Sequence, residues 1–312
     1  MKKLLIVTDG KAGHENQSKA LCRALGYAYD IVRARYQTPL RKGLSYLTDR
    51  LGLLAERLFE IEQTDGYYDA VVCAGSTAFY PGKITARRRG IPVAAVLYPR
   101  GYRLSTFDCI LAPGFDQPPA LPNIVRVPVN LTAADDAFYE AGVAAFRERH
   151  TPRGSAAALI VGGPNAVAEL TPAGMRRELD RVFAATEGRE RWVTTSRRTP
   201  PAVEAVIDAF PFDYKLIYSR DTFNPIPAFV SLCETLFVTA DSTGMLSEAV
   251  TRGAARVEVL MNLRSPSSKF ARFVRELEAA GAAHIFDGAL GQANRKIDLA
   301  PVFEQARRLL RL

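Results

Sequence analysis

The residue types able to do chemistry gather first in Thr8-Asp9-Gly10-Lys11-Ala12-Gly13-His14-Glu15-Asn16-Gln17. Lys11 brings a cation, Asn16 and Gln17 bring amides, and His14, one of three histidines in the chain, brings an imidazole suited to general-base work. Gly10 and Gly13 permit a sharp turn and a close approach of substrate to backbone. The plainer alternative is that Asp9, Asn16 and Gln17 only close a turn and cap a helix.

A second group lies in the other half of the chain. Gly162-Gly163-Pro164-Asn165 can turn backbone N–H groups towards an anion or a base. Ser196-Arg197-Arg198-Thr199 sets two guanidinium groups side by side, the geometry that binds phosphate oxygens bidentately. Asp241-Ser242-Thr243-Gly244 has the composition of a helix start, where free N–H groups hold a pyrophosphate without a metal. Glu248 follows on the first turns of that helix, within reach of a ribose diol. Taken singly, these segments read equally as a turn, a surface salt-bridge pair and a capped helix. Their coincidence points to a nucleoside diphosphate. Neither G-x-G-x-x-G nor G-x-x-x-x-G-K-[ST] occurs, which argues against a dehydrogenase and an ATPase.

Each motif must stand at the end of a strand, and the hydrophobic pattern provides such strands. Apolar runs at 4–7, 29–33, 69–74, 92–98, 109–113 and 124–127 alternate with helical patterns and loops, predicting a Rossmann-like parallel sheet. Gly75-Ser76 and Pro99-Arg100 follow two of those strands, so Gly75, Ser76 and Arg100 join Asp9, Gly10, Lys11, Gly13, Asn16 and Gln17 as candidates for the acceptor side. After a polar stretch at 150–155 the pattern restarts, with strands at 156–161, 192–195, 215–218, 236–239 and 257–260. The expected domains are therefore 1–150 and 151–298, the second carrying the donor candidates.

Between them, Leu40, Leu44, Leu47, Leu51, Leu54 and Leu58 recur at helical spacing, interleaved with Arg41, Lys42, Arg50 and Arg57. The commoner meaning of such a segment is a core-packed helix with a solvated face. The sharper one is a membrane-surface helix near a lipid-linked substrate.

Length, 48% hydrophobic residues and 24% charged residues describe a folded two-domain protein. A net charge of +8 suggests an anionic partner, namely nucleotide phosphates or an acidic membrane surface. No nucleic-acid-binding signature accompanies it. Cys22, Cys73, Cys109 and Cys233 are scattered without metal-ligand spacing and are expected to be packed thiols, so neither a metal nor a cofactor is expected. No apolar run approaches the ~20 residues of a membrane span. The short apolar stretch after Met1 is expected to be a strand and not a leader, which implies a cytoplasmic protein, with peripheral attachment to the membrane's inner face as an option.

The motif of residues 9–17, together with Pro99-Arg100 and Phe107-Asp108, Gly162-Gly163-Pro164, Thr195-Ser196-Arg197-Arg198-Thr199-Pro200, Phe223-Asn224-Pro225 and Thr239-Ala240-Asp241-Ser242 through Glu248-Ala249, resembles the mitochondrial-fission "elongated mitochondria" family of bacteria and plants. The resemblance covers nearly the whole chain. It departs at Tyr98, Phe115-Asp116 and Gly253-Ala254-Ala255-Arg256. It implies a GT-B-like α/β fold: two Rossmann-like domains facing across a cleft, with the last helix, 299–312, crossing back to the first. It also implies a metal-independent glycosyltransferase that takes a nucleotide diphosphate sugar as co-substrate and delivers the sugar to a hydroxyl acceptor, lipid- or envelope-linked. By similarity to the peptidoglycan N-acetylglucosaminyltransferase, His14 is the acceptor-activating base and Glu248 the ribose ligand. A nucleotide-sugar epimerase on the same fold and a non-catalytic membrane scaffold are the alternatives. Sugar, nucleotide, stereochemistry and oligomeric state are not specified by these motifs.

Overall fold

A computed structural model describes residues 2–312 and groups the chain into two compact units. The first comprises the chain up to Ala133 together with Leu299–Leu312. In chain order it holds β1 (Lys3–Thr8), α1 (Ala12–Ala24), β2 (Ala28–Arg35), α2 (Pro39–Leu51), β3 (Glu60–Ile61), β4 (Ala70–Ala74), α3 (Phe79–Arg89), β5 (Val93–Val96), β6 (Cys109–Pro113) and β7 (Ile124–Val127). The second holds α4 (Asp136–Arg147), β8 (Ala156–Ile160), α5 (Pro172–Ala185), β9 (Glu190–Thr194), α6 (Pro201–Asp208), β10 (Tyr214–Leu216), α7 (Ile226–Leu232), β11 (Thr235–Thr239), α8 (Thr243–Thr251), β12 (Arg256–Leu260), α9 (Lys269–Ala279) and β13 (His284–Ile285). The last helix, α10 (Ala300–Leu310), packs on β6 and β7.

The first sheet runs β3-β2-β1-β4-β5-β6-β7, parallel throughout except for the two-residue edge strand β3. Leu4, Leu5, Ile6 and Val7 are inaccessible to solvent, as the central strand of a sheet covered on both faces requires. One face is covered by α1 and α10, through Leu21, Cys22, Ala306 and Leu310. The other packs against Phe79, Tyr80 and Ile84 of α3. The second sheet runs β10-β9-β8-β11-β12-β13, parallel in every pair. In each sheet the chain leaves the central strand to one side and returns on the other, so β1/β4 and β8/β11 are topological switch points, the places where such sheets bind ligands.

Two expectations change. The polar stretch at 150–155 does not separate the units, because the chain passes from one to the other between Ala133 and Ala134. Helix α4 belongs to the second unit, where the inaccessible Phe146 ring lies 4.9 Å from Trp192 and 5.9 Å from Phe229. The polar residues carry α4 into β8 and are held inside the second unit, where His150 pairs with Glu190 and the Arg153 N–H donates to Glu190 at 2.8 Å.

The leucine-rich segment is shorter than its periodicity and faces the other way. Gly52, at φ +74°, ends α2 with a left-handed cap, which leaves Leu54 and Leu58 outside the helix. The buried positions of α2 are Ser45 and Asp49, while Leu40, Leu44, Leu47 and Leu51 are exposed. Asp49 accounts for the inversion. Its carboxylate pairs with buried Lys83 and accepts the Arg103 N–H at 2.6 Å, and Lys83 also donates to Thr106 Oγ1 at 2.9 Å. Burial pulls the Lys83 ammonium below the usual lysine range, against the opposing pull of Asp49. Asp49→Ala leaves that lysine buried without its carboxylate and is expected to cost ~3–5 kcal/mol in urea unfolding. Leu47→Ala, on the outer face, should stay within about 0.5 kcal/mol.

Candidate functional site

At the β1/β4 switch point, Asp9 and the first turn of α1 bring a carboxylate to an imidazole. His14 Nδ1 lies 3.1 Å from Asp9 Oδ1 and 3.2 Å from Oδ2, and the Asp9 side chain is only 6% exposed. A carboxylate can only accept, so Nδ1 carries the hydrogen and Nε2 is left as the basic nitrogen. Gly75, after β4 and at φ +88°, forms the wall behind the ring: a Cβ there would stand 2.2 Å from Nδ1. Only glycine meets both demands.

The other candidates of this loop divide. Gly10 takes φ +78° and donates its N–H to Thr8 Oγ1 at 3.1 Å, which builds the turn. Lys11 stays exposed, its Nζ 3.7 Å from Asp9 Oδ2, and Gly13 and Asn16 are exposed on α1. Gln17 instead clamps the Leu131 backbone, donating to its carbonyl at 2.7 Å and accepting its N–H at 3.0 Å. Ser76 accepts Lys42 Nζ at 2.9 Å through Oγ and the Tyr102 hydroxyl at 2.7 Å through its carbonyl. Arg100 is exposed, with its guanidinium 5.6 Å from the Tyr98 ring.

In the second unit the strand-end loops converge on one carboxylate. The Asp241 side chain is fully buried; its Oδ2 accepts the Gly163 N–H at 2.9 Å and Arg198 Nη2 at 3.0 Å, and its Oδ1 accepts Asn262 Nδ2 at 3.2 Å. Arg198 Nη1 also donates to the Gly163 carbonyl at 3.1 Å, and Asn165 Nδ2 to the Asp241 carbonyl at 3.2 Å. A Cβ on Gly162 would meet the Asp241 carboxylate at 2.1 Å, and one on Gly163 the Arg198 backbone at 2.3 Å. Thr199 Oγ1 accepts the Ser196 N–H at 2.9 Å and donates to the Gly162 carbonyl at 2.6 Å. Arg198 and Thr199 thus hold the glycine loop. Neighbouring Arg197 is exposed and has no hydrogen bond or ion pair among the described residues.

Ser242 caps α8, its Oγ accepting the Met245 N–H at 3.4 Å, and Thr243 opens the helix. Glu248, on the same helix, accepts the Tyr139 hydroxyl at 3.0 Å. Burial pushes its carboxyl above the ordinary range, against the Tyr139 hydrogen bond and the charge of Arg252.

Asn262 and Tyr139 escape the motif reading, and Thr239, which lies in a motif, was given no part in holding the glycine loop. Asn262 lies two residues beyond β12, and its Oδ1 is buried without a partner. Thr239 ends β11 and accepts the Gly162 N–H at 2.8 Å. Their strand-end positions were available as signals. Tyr139 was not, since only packing brings α4 to α8.

The mitochondrial fission ELM1 family model matches residues 12–312. The chain belongs to that family. No curated protein matches the sequence. Among solved structures, this ELM1-family chain is similar to the UDP-GlcNAc 2-epimerase of Neisseria meningitidis bound to UDP-GlcNAc, at 12% identity over 100% of this chain and 92% of that one, with a TM-score of 0.54. It is similar to the UDP-GlcNAc 2-epimerase of Methanocaldococcus jannaschii at 14% identity, with the same coverage and a TM-score of 0.52. For Acinetobacter baumannii MurG the identity is 14%, the coverage again 100% and 92%, and the TM-score 0.50. These likenesses show the fold: GT-B, with two Rossmann-like units. No helix among the described residues is long and apolar enough to cross a membrane.

Gly75→Ala tests the imidazole's seat. The added methyl cannot coexist with the ring, so the downfield Nδ1–H resonance expected from the Asp9 hydrogen bond should be lost or shifted in proton NMR. An unchanged resonance would reject the arrangement.

Proposed function

We propose that this ELM1-family protein is a metal-independent glycosyltransferase that moves a sugar from a nucleotide diphosphate sugar to a hydroxyl acceptor. The observation that carries this reading is the pair of switch-point clusters: a carboxylate-held histidine in one unit and an Asp241-centred set of strand-end loops in the other. The donor is assigned to the second unit and the acceptor to the first. His14 Nε2 takes the acceptor's hydroxyl proton as its oxygen attacks the anomeric carbon, and Asp9 stabilises the imidazolium that forms. The bond from the anomeric carbon to the diphosphate breaks as the new glycosidic bond forms. Arg197, with the N–H groups at the start of α8, meets the charge developing on the diphosphate, and Arg198 holds the glycine loop beneath it. Fixed positive charge of this kind does what a metal does elsewhere, so no cofactor is assigned. Glu248, in its ionised form, accepts from the ribose diol.

A lipid- or envelope-linked acceptor, met by a protein lying peripherally on the inner face of the membrane, fits the net charge of +8. UDP-GlcNAc, which the Neisseria epimerase binds, is the first donor to try. Stabilisation by UDP or UDP-GlcNAc in a thermal-shift panel, reduced in Arg197→Ala and kept in His14→Ala, is the expected result. His14→Ala should also lower transfer by ~10²–10⁴-fold. Donor consumption without any acceptor would replace the transferase with an epimerase. The absence of any nucleotide shift would leave a scaffold.

Glu248 supplies a pH test. Its carboxyl is raised, so it protonates above the usual carboxylate range and loses its acceptor oxygen there. Nucleotide affinity should therefore fall as the pH is lowered from neutral to mildly acidic, and Glu248→Gln should be weak and flat across that range. A flat wild-type profile removes Glu248 from ribose binding.

A further inference from the structure

Helix α2 is inside out. Its inward positions are polar and fully partnered, and its outward positions are leucine. Leu40, Leu44, Leu47 and Leu51, continued by Leu53 and Leu54, are between 39% and 73% exposed. At about 100° per residue the four helical leucines fall in one narrow stripe, with Arg41 and Arg50 on its opposite flanks. Arg57 is tied to the same surface, its carbonyl accepting Arg41 Nη1 at 3.3 Å. Arg50, Arg57 and Arg103 form no ion pair among the described residues. The nearby carboxylates are already taken, Asp49 by Lys83 and Glu56 by Arg88 at 3.1 Å.

We propose that this face docks on an anionic lipid bilayer, with the leucines entering the headgroup–acyl boundary and the flanking arginines meeting lipid phosphates. The inference rests on the peripheral placement given above and adds the surface that makes the contact; it does not depend on the transfer chemistry. An apolar stripe with a cation on each flank is the pattern of an interfacial helix, and its charge complements an acidic headgroup layer. A second copy of the chain is a poorer occupant. Two such faces meeting about a two-fold axis would bring flanking arginines of both copies together.

The inward face ties this surface to the candidate site. Lys42 donates to Ser76 Oγ, the Tyr46 ring stacks on Tyr102 at 4.3 Å, and Tyr102 donates to the Ser76 carbonyl. Ser76 adjoins Gly75, the wall on which His14 rests. A docked α2 therefore holds the His14 loop close to the lipid surface, where a membrane-borne hydroxyl would be presented.

The test is flotation of the full chain with phosphatidylcholine vesicles, and with vesicles in which phosphatidylglycerol replaces part of the phosphatidylcholine. Wild type should float with the anionic vesicles and, at most weakly, with the neutral ones. Leu44→Ser/Leu47→Ser should lower anionic-vesicle binding roughly tenfold or more, and Arg41→Ser/Arg50→Ser should weaken it with a flatter salt dependence. The altered leucines are exposed, so the thermal midpoint should hold; if it falls, the single change Leu47→Glu is read instead. No flotation of wild type with either vesicle overturns both this surface and the peripheral placement. Flotation undiminished in the leucine variants overturns this surface alone. A dimer in sedimentation that the leucine changes dissociate, without vesicle binding, assigns the face to a second copy and overturns the proposal.

Discussion

The fully buried carboxylate of Asp241 sets the terms for the second unit. A buried charge is tolerable only when paired and hydrogen-bonded, and each bond that satisfies this one comes from a different strand-end loop. Gly163 approaches because it has no Cβ, Arg198 supplies the compensating charge, and Asn262 closes the far side. Partial satisfaction would be worse than an apolar core, so these loops hold their geometry together or lose it together. The fixed arrangement of these loops is a by-product of that demand.

The first unit solves a similar problem with less burial. Asp9 begins the loop after β1, Gly75 follows β4, and the imidazole of His14 is gripped between them. Both clusters lie at the point where the strand order reverses, because in sheets wound this way the chain's departure to opposite sides opens a crevice above the central strands. The two halves share this logic with no detectable sequence repeat. It follows from the winding of the sheet.

Helix α2 shows what a polar interior does to a surface. Ser45 and Asp49 are required inside, where Tyr102, Lys83 and the Arg103 N–H wait for them, and the leucines are therefore turned outwards. Periodicity alone gives the opposite orientation, since it detects that a helix is two-faced and assumes that the apolar face is the buried one. The energetic weight of one buried ion pair reverses that assumption.

Much was legible from the residues alone. The continuous apolar runs of β1, β4, β8 and β11 read as buried strands, and the glycines, arginines and Asp-Ser after them marked the strand-end loops, because both signals are local. The motifs at 9–17, 162–165, 196–199 and 241–248 needed nothing more, while the GT-B class came with the family resemblance that those motifs carry. What required tertiary structure was every matter of partnership. Arg198 and Arg197 are adjacent in sequence, yet one is locked to Asp241 and the other is open; Gln17 holds Leu131; Tyr139 crosses to Glu248; and the unit boundary precedes α4. These are pairings between residues tens of positions apart, settled by which backbone atoms can approach and which buried charges must be met. No local pattern encodes them.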